Sequence, residues 1–257
     1  MKFTDEVVSI AARLGRLDDL KELEADVATH DEYFIPKTTL SEKLDGVTDP
    51  KILFGNNGLH FSQQLLFRSR SLIEGSITNI NNHNILSSLA CTRAHYETTG
   101  KASFFLKRLR SYYEGHIDFA TMDKDLHRLF FGAKTFQLEV VPEPIQVMNL
   151  IDSVDDYMEK HLLPKDLERK KFRSLYDALS DFCHPNFHGI TCGSEINGGE
   201  RAIIFREIGS MSVIDFPMFF LLNMSSRLFL HFYEEIINLL KQRETMPVIH
   251  LSRDKNT

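Results

Sequence analysis

From Asp5 onward apolar residues recur three and four positions apart, and a chain patterned at that period cannot lay the same side chains on one face of a sheet. Val7, Ile10, Leu14 and Leu17 make the first such row, with Leu20 and Leu23 on a neighbouring line, which predicts an amphipathic first helix. The period dissolves between Thr29 and Gly58, where Pro36, Gly46, Pro50, Gly55, Asn56, Asn57 and Gly58 read as a connector. It returns over Leu59–Ser76 with Phe61, Leu65, Leu66, Leu72 and Ile73, and the Asn-rich stretch Thr78–Asn84 suits a turn and an N-cap. A long third helix follows over Ile85–Tyr113, ended by Gly115. Asp123 caps a fourth helix that runs to about Phe136, and Pro142 and Pro144 break the chain before a fifth over Ile145–His161. The sixth, Lys165–Cys183, stops at His184-Pro185. The last is capped by Asp215, carries Pro217 in its first turn and reaches about Gln242.

One stretch has a different texture. HGITCGSEINGGERAIIFREIGS sets Asn197-Gly198-Gly199 between two short β-prone runs, the pattern of a hairpin. The expected fold is therefore all-α, a helical bundle of about six to seven helices with one small β-hairpin insertion near residues 190–208. Residues 1–35 are expected to form an amphipathic N-terminal arm, 36–58 a connector, 59–242 the helical domain and 243–257 a flexible tail. The Leu14, Leu17 and Leu20 face of the arm is a candidate contact for a protein partner.

With 257 residues and 42% hydrophobic content, the chain can bury roughly 70 to 75% of its unfolded surface, so it needs no disulfide or metal staple. Cys91, Cys183 and Cys192 are odd in number and form no CxxC pair, which points to reduced thiols in a cytoplasmic protein. Asp5 and Glu6 lie where a signal peptide would be basic, and the apolar run Phe216–Tyr233 is interrupted by Asn223, Ser225, Ser226, Arg227 and His231, against a membrane span. The net charge of -6 argues against a chain wrapped in nucleic acid but leaves room for a local basic patch. GNNG at Gly55–Gly58 lacks the lysine and spacing of a phosphate loop, so no nucleotide cofactor is expected.

Two constellations carry chemistry. Laid on a helix, Arg93 and Glu97 fall within the stripe of Leu86, Leu89, Ala90, Gly100 and Phe104, where an unpaired charge would cost several kcal/mol. They must be paired, hydrated or part of a site. In the sixth helix Tyr176, Ser180 and His184 form a row spaced by four, and Pro185 leaves His184 at the helix end, where carbonyls favour its protonated form. The plainer reading is that the same histidine merely caps its own helix and that Pro185-Asn186 is a helix stop. His184 and His188 share metal-ligand spacing, but Pro185 breaks the helical geometry between them, so no metal is expected. Tyr176, Ser180, Asn186, His188 and Arg173 are the candidate binding residues around this end of the helix.

TRAHYETTGKASFF in the third helix and FRSLYDALSDFCHPN in the sixth resemble helical proteins of the HEPN superfamily, in which an Arg-x-x-x-Glu helix and a Tyr-x-x-Leu-Ser...His-Pro helix end recur. The likeness covers Leu59–Phe187. It implies a helical bundle, often a homodimer, and in the wider superfamily metal-independent RNA cleavage in toxin or antiphage systems. Arg93 and Glu97 would match the charged pair, and His184 the histidine at the helix end. Nuclease members carry an arginine shortly before the histidine, whereas here the nearest preceding one is Arg173, about three helical turns upstream. Two functions follow. In the first, His184 moves protons on RNA while Arg93, oriented by Glu97, stabilises the phosphorane. In the second, the chain is a non-catalytic binding module and the Arg, Glu and His network is structural.

Overall fold

A computed structural model describes residues 2–36, 50–133, 142–162, 171–192, 194–205 and 217–242. Its helices are α1 (Asp5–Arg13), α2 (Leu17–Tyr33), α3 (Pro50–Asn81), α4 (Ile85–Tyr113), α5 (Phe119–Phe131), α6 (Val147–His161), α7 (Lys171–Cys183), the short α8 (Phe187–Thr191) and α9 (Pro217–Gln242). A two-stranded antiparallel hairpin, β1 (Ser194–Asn197) and β2 (Ala202–Phe205), pairs Ser194 with Phe205 and Asn197 with Ala202. The all-α bundle with one small hairpin stands, and no described helix is long and apolar enough to cross a membrane.

The bundle is built around α4, against which α3, α9, α6, α7 and α5 all pack. A helix enclosed on so many sides cannot keep a polar outer face, and α4 resolves this with small polar residues. Ser88, Thr92, Thr98, Thr99 and Ser103 are all buried, and each threonine hydroxyl returns to a carbonyl four residues back. Gly100 sets the closest approach: a Cβ there would stand 3.0 Å from the backbone carbonyl carbon and oxygen of Leu150 on α6. The core then continues through Phe105, Leu106, Leu109, Leu150, Val154, Phe172, Leu222, Phe229 and Phe232.

The expectations fail at four places. The first helix is two: Gly15 adopts φ 66°, and the amide of Arg16 bonds the Ala11 carbonyl at 2.8 Å, which closes α1 and lets α2 start in a new direction. Neither is an arm, because Val7, Ala11, Leu20, Leu23 and Val27 lie in the common core and α2 packs on α3 and α9. The supposed connector ends early, since α3 begins at Pro50 and runs through Gly55-Asn56-Asn57-Gly58. Gly58 is there for packing: a Cβ would stand 3.3 Å from Phe105 and 3.4 Å from Leu240. Helix α5 begins at Phe119, where Asp118 rather than Asp123 accepts from the Thr121 amide at 2.8 Å, and it stops before Gly132. Past His184-Pro185 the chain forms α8 before the hairpin. Phe136, the 165–170 portion of the sixth helix, Asp215 and the tail 243–257 lie outside the described residues.

Candidate functional site

The seam between α4 and α7 holds most of the residues singled out from the sequence. Helix α7 is fixed there from its N-terminal end by α6. The two carboxylate oxygens of buried Asp155 accept from the amides of Phe172 at 2.8 Å and Arg173 at 2.9 Å, and a negative charge at a helix start is favourable. Burial pushes the Asp155 carboxyl up, and these two amide bonds pull against that. Phe172 then stacks on Tyr96 of α4 with ring centroids 4.3 Å apart and planes 17° from parallel.

One turn along the seam Arg93 crosses from α4 to α7. Its Nε donates to Ser180 Oγ at 3.1 Å and one Nη donates to Tyr176 Oη at 3.0 Å. The Tyr176 hydroxyl in turn donates to Glu97 Oε1 at 3.0 Å, and the Glu97 carboxylate lies 3.4 Å from the Arg93 guanidinium. Ser180 Oγ completes the set by donating to the Tyr176 carbonyl at 2.9 Å. Burial works against the Arg93 charge, but the Tyr176 and Glu97 contacts outweigh it and raise its pKa. Burial, then the Glu97 carboxylate, raises the Tyr176 hydroxyl as well. The cluster is formally neutral, and both resolved shifts move away from neutral pH. Arg93 and Glu97 are not core residues as the helical stripe suggested: their side chains keep 31% and 28% exposure along the seam.

The other candidates stand apart from this cluster. His184 lies one turn past Ser180 on the same row; it is exposed, its amide bonds the Ser180 carbonyl at 3.1 Å, and its ring makes no hydrogen bond or ion pair among the described residues. It borders a hollow of about 270 Å³ together with Leu86, Ala90, Phe182, Cys183 and Ile190. Arg173 is held by two carboxylates, Asp152 at 3.0 Å on α6 and Asp177 at 3.2 Å on its own helix. Asn186 caps α8, accepting from the Gly189 amide at 3.2 Å and donating to Asp181 at 3.2 Å. His188 is exposed beside the rings of Phe182 and Phe187. Among the described residues no three His, Cys, Asp or Glu side chains converge as a metal centre would require. The three cysteines are half-buried and form no disulfide among the described residues, and burial raises the thiols of Cys91 and Cys183.

A second polar constellation, absent from the sequence reading, runs through the centre of the bundle. His30 Nδ1 must donate to the Asp26 carbonyl at 2.7 Å, because a carbonyl only accepts, so His30 Nε2 accepts from Ser69 Oγ at 2.8 Å. Ser69 Oγ then accepts a hydrogen bond from His95 Nε2 at 2.7 Å, which leaves His95 Nδ1 to accept from Ser225 Oγ at 2.7 Å. One carbonyl thus fixes both tautomers and both serine rotors across α2, α3, α4 and α9. All four side chains are fully buried. Burial lowers the pKa of His30 to about 4 and that of His95 to about 3. His30 continues the buried row Leu20, Leu23, Val27, and His95 sits between buried Thr92 and Thr99. A histidine in step with an apolar row was the available signal.

No family model matches this chain, and neither the curated proteins nor the solved structures contain a match to it.

Proposed function

We propose that this chain is a non-catalytic helical binding module, HEPN-like in plan, in which Arg93, Glu97, Tyr176 and Ser180 lock α7 onto α4 while function lies on another surface. The supporting observation is the occupancy of Arg93. Its Nε, one Nη and its charge are satisfied by Ser180, Tyr176 and Glu97, so it has little electrostatic potential left for a phosphorane. The test pairs thermal melts with RNA incubation. Arg93→Gln and Tyr176→Phe lower the melting temperature, and the wild type leaves single-stranded and hairpin RNA intact. RNA cleaved by the wild type but not by His184→Ala would overturn the reading.

The alternative, metal-independent RNA cleavage by a homodimer in the cytoplasm, draws support from one specific feature. His184 and Arg93 share the α4–α7 seam, and His184 opens onto the hollow of about 270 Å³ there. In that scheme His184 is the proton carrier and Arg93 must leave Glu97 when RNA binds. Measuring mass in solution and scanning cleavage against pH distinguish it: a dimer with activity that tracks His184 ionisation favours the nuclease.

A further inference from the structure

A second concavity lies away from the α4–α7 seam, on the outward face of α3. It has a volume of about 800 Å³, within the range of roughly 300 to 1,000 Å³ typical of small-molecule sites. Three phenylalanines stand at its rim with most unusual exposure for their type: Phe67 at 60%, Phe131 at 55% and Phe34 at 42%. Phe34, just past α2, leans on Phe67 of α3 with ring centroids 6.2 Å apart. Phe131, at the end of α5, meets Phe130 edge-on at 4.4 Å. Two aromatic pairs therefore line the same hollow.

Arg68 lines it as well. Its Nε donates to Thr98 Oγ1 at 3.2 Å, and neither Nη has a partner among the described residues. No described carboxylate pairs with it, unlike Arg70, which is held by Asp31 and Glu74 at 2.9 Å each. Lys101 lies behind it, with its Nζ donating to the Leu129 carbonyl at 3.2 Å. Burial, and then the nearby Arg68 charge, lower the Lys101 pKa. A planar guanidinium edge left open in a hollow lined by phenylalanines and by the uncharged Asn57, Gln63, Gln64 and Ser71 fits one carboxylate, with which it makes two parallel hydrogen bonds. Arg68 is the one Lys or Arg among the described residues lining the hollow, too few cations for a polyphosphate or a nucleic-acid backbone.

We infer that this hollow is a binding site for a small apolar monocarboxylate, an acyl or aryl acid whose carboxylate takes the Nη edge of Arg68 while its body lies between Phe67 and Phe131. The inference gives the binding module a ligand class and does not depend on what Arg93 and His184 do. Calorimetric titration of the full chain with decanoate and with 2-naphthoate tests it. At least one saturates with one site per chain, and Arg68→Gln weakens it by about 10- to 100-fold, the loss expected for a charge-assisted hydrogen-bond pair. Phe67→Ala weakens it as well, whereas 2-naphthamide, which lacks the charge, binds the wild type and Arg68→Gln alike. Circular dichroism confirms that both exposed-site variants fold. Saturation by neither acid below millimolar concentration, or equal affinity of the wild type and Arg68→Gln, would overturn the assignment, and neither result bears on RNA cleavage.

Discussion

Acidification is expected to weaken the fold well above the pH at which carboxylates titrate, because of two buried imidazoles. His30 and His95 have an ordinary pKa of 6.5, lowered to about 4 and about 3 by burial in the folded chain. The groups facing them offer little relief: Arg70 and Arg68 oppose protonation, His30 opposes that of His95, and only the Asp26 carbonyl and the Asp31 charge favour it at His30. The folded state therefore binds fewer protons than the unfolded one, so stability is full above pH 6.5 and falls as pH drops toward 4. Each histidine contributes a slope of about 1.4 kcal/mol per pH unit in that window, about 2.7 for the pair. Integrated to pH 4, the loss is about 6 kcal/mol, inside the ~5 to 15 kcal/mol that holds a typical domain together. The cause is also structural, since a proton on either ring converts an acceptor nitrogen into a donor facing a serine that already donates to it. Urea unfolding from pH 7.5 to 4.5, followed by circular dichroism, measures the slope. His95→Gln keeps a donor and an acceptor but cannot take up a proton, and its slope should be about half that of the wild type. Carboxylates and other surface groups are common to both chains, so the difference isolates the ring. A wild-type stability that is flat between pH 6.5 and 5, or a His95→Gln slope equal to the wild type's, would refute the reasoning.

Three further outcomes follow from the packing. Asp155→Ala leaves the amides of Phe172 and Arg173 without an acceptor and should cost about 2 to 4 kcal/mol in urea unfolding, while Asp155→Asn, which retains one acceptor, costs less. Gly100→Ala forces a methyl to within 3.0 Å of the Leu150 backbone and should cost about 1 to 3 kcal/mol despite alanine's better helix propensity, seen as a lower melting temperature. His184→Ala, at an exposed ring outside the polar cluster, should change stability by no more than about 0.5 kcal/mol, so any larger drop would place the imidazole in the lock between α4 and α7.

The sequence read well where local chemistry and tertiary packing agree. Helix α4 has the predicted bounds because Asn84 caps it, accepting from the Ser87 amide at 3.2 Å, and Gly115 ends it with φ 77°. The hairpin held because Asn197 Oδ1 gathers the Gly199 and Glu200 amides at 3.1 and 3.3 Å, a turn specified by four adjacent residues. It misled where a residue serves a neighbour distant in sequence. Gly58 looks like loop punctuation, yet it is a notch in a helix for Phe105 and Leu240, neither of which periodicity can bring alongside. The site divides on the same principle. In the segment Arg93-Ala-His-Tyr-Glu97 the helical twist sends Arg93 and Glu97 to α7, Tyr96 to Phe172, and His95 to α3 and α9. Spacing alone could pair Arg93 with Glu97, but which helix each side chain meets is decided by the whole bundle. That is why the motif's least conspicuous member, His95, is a fully buried imidazole, and why the pH response of this protein is expected to follow the centre of the bundle and not the helix-end histidine that the sequence put forward.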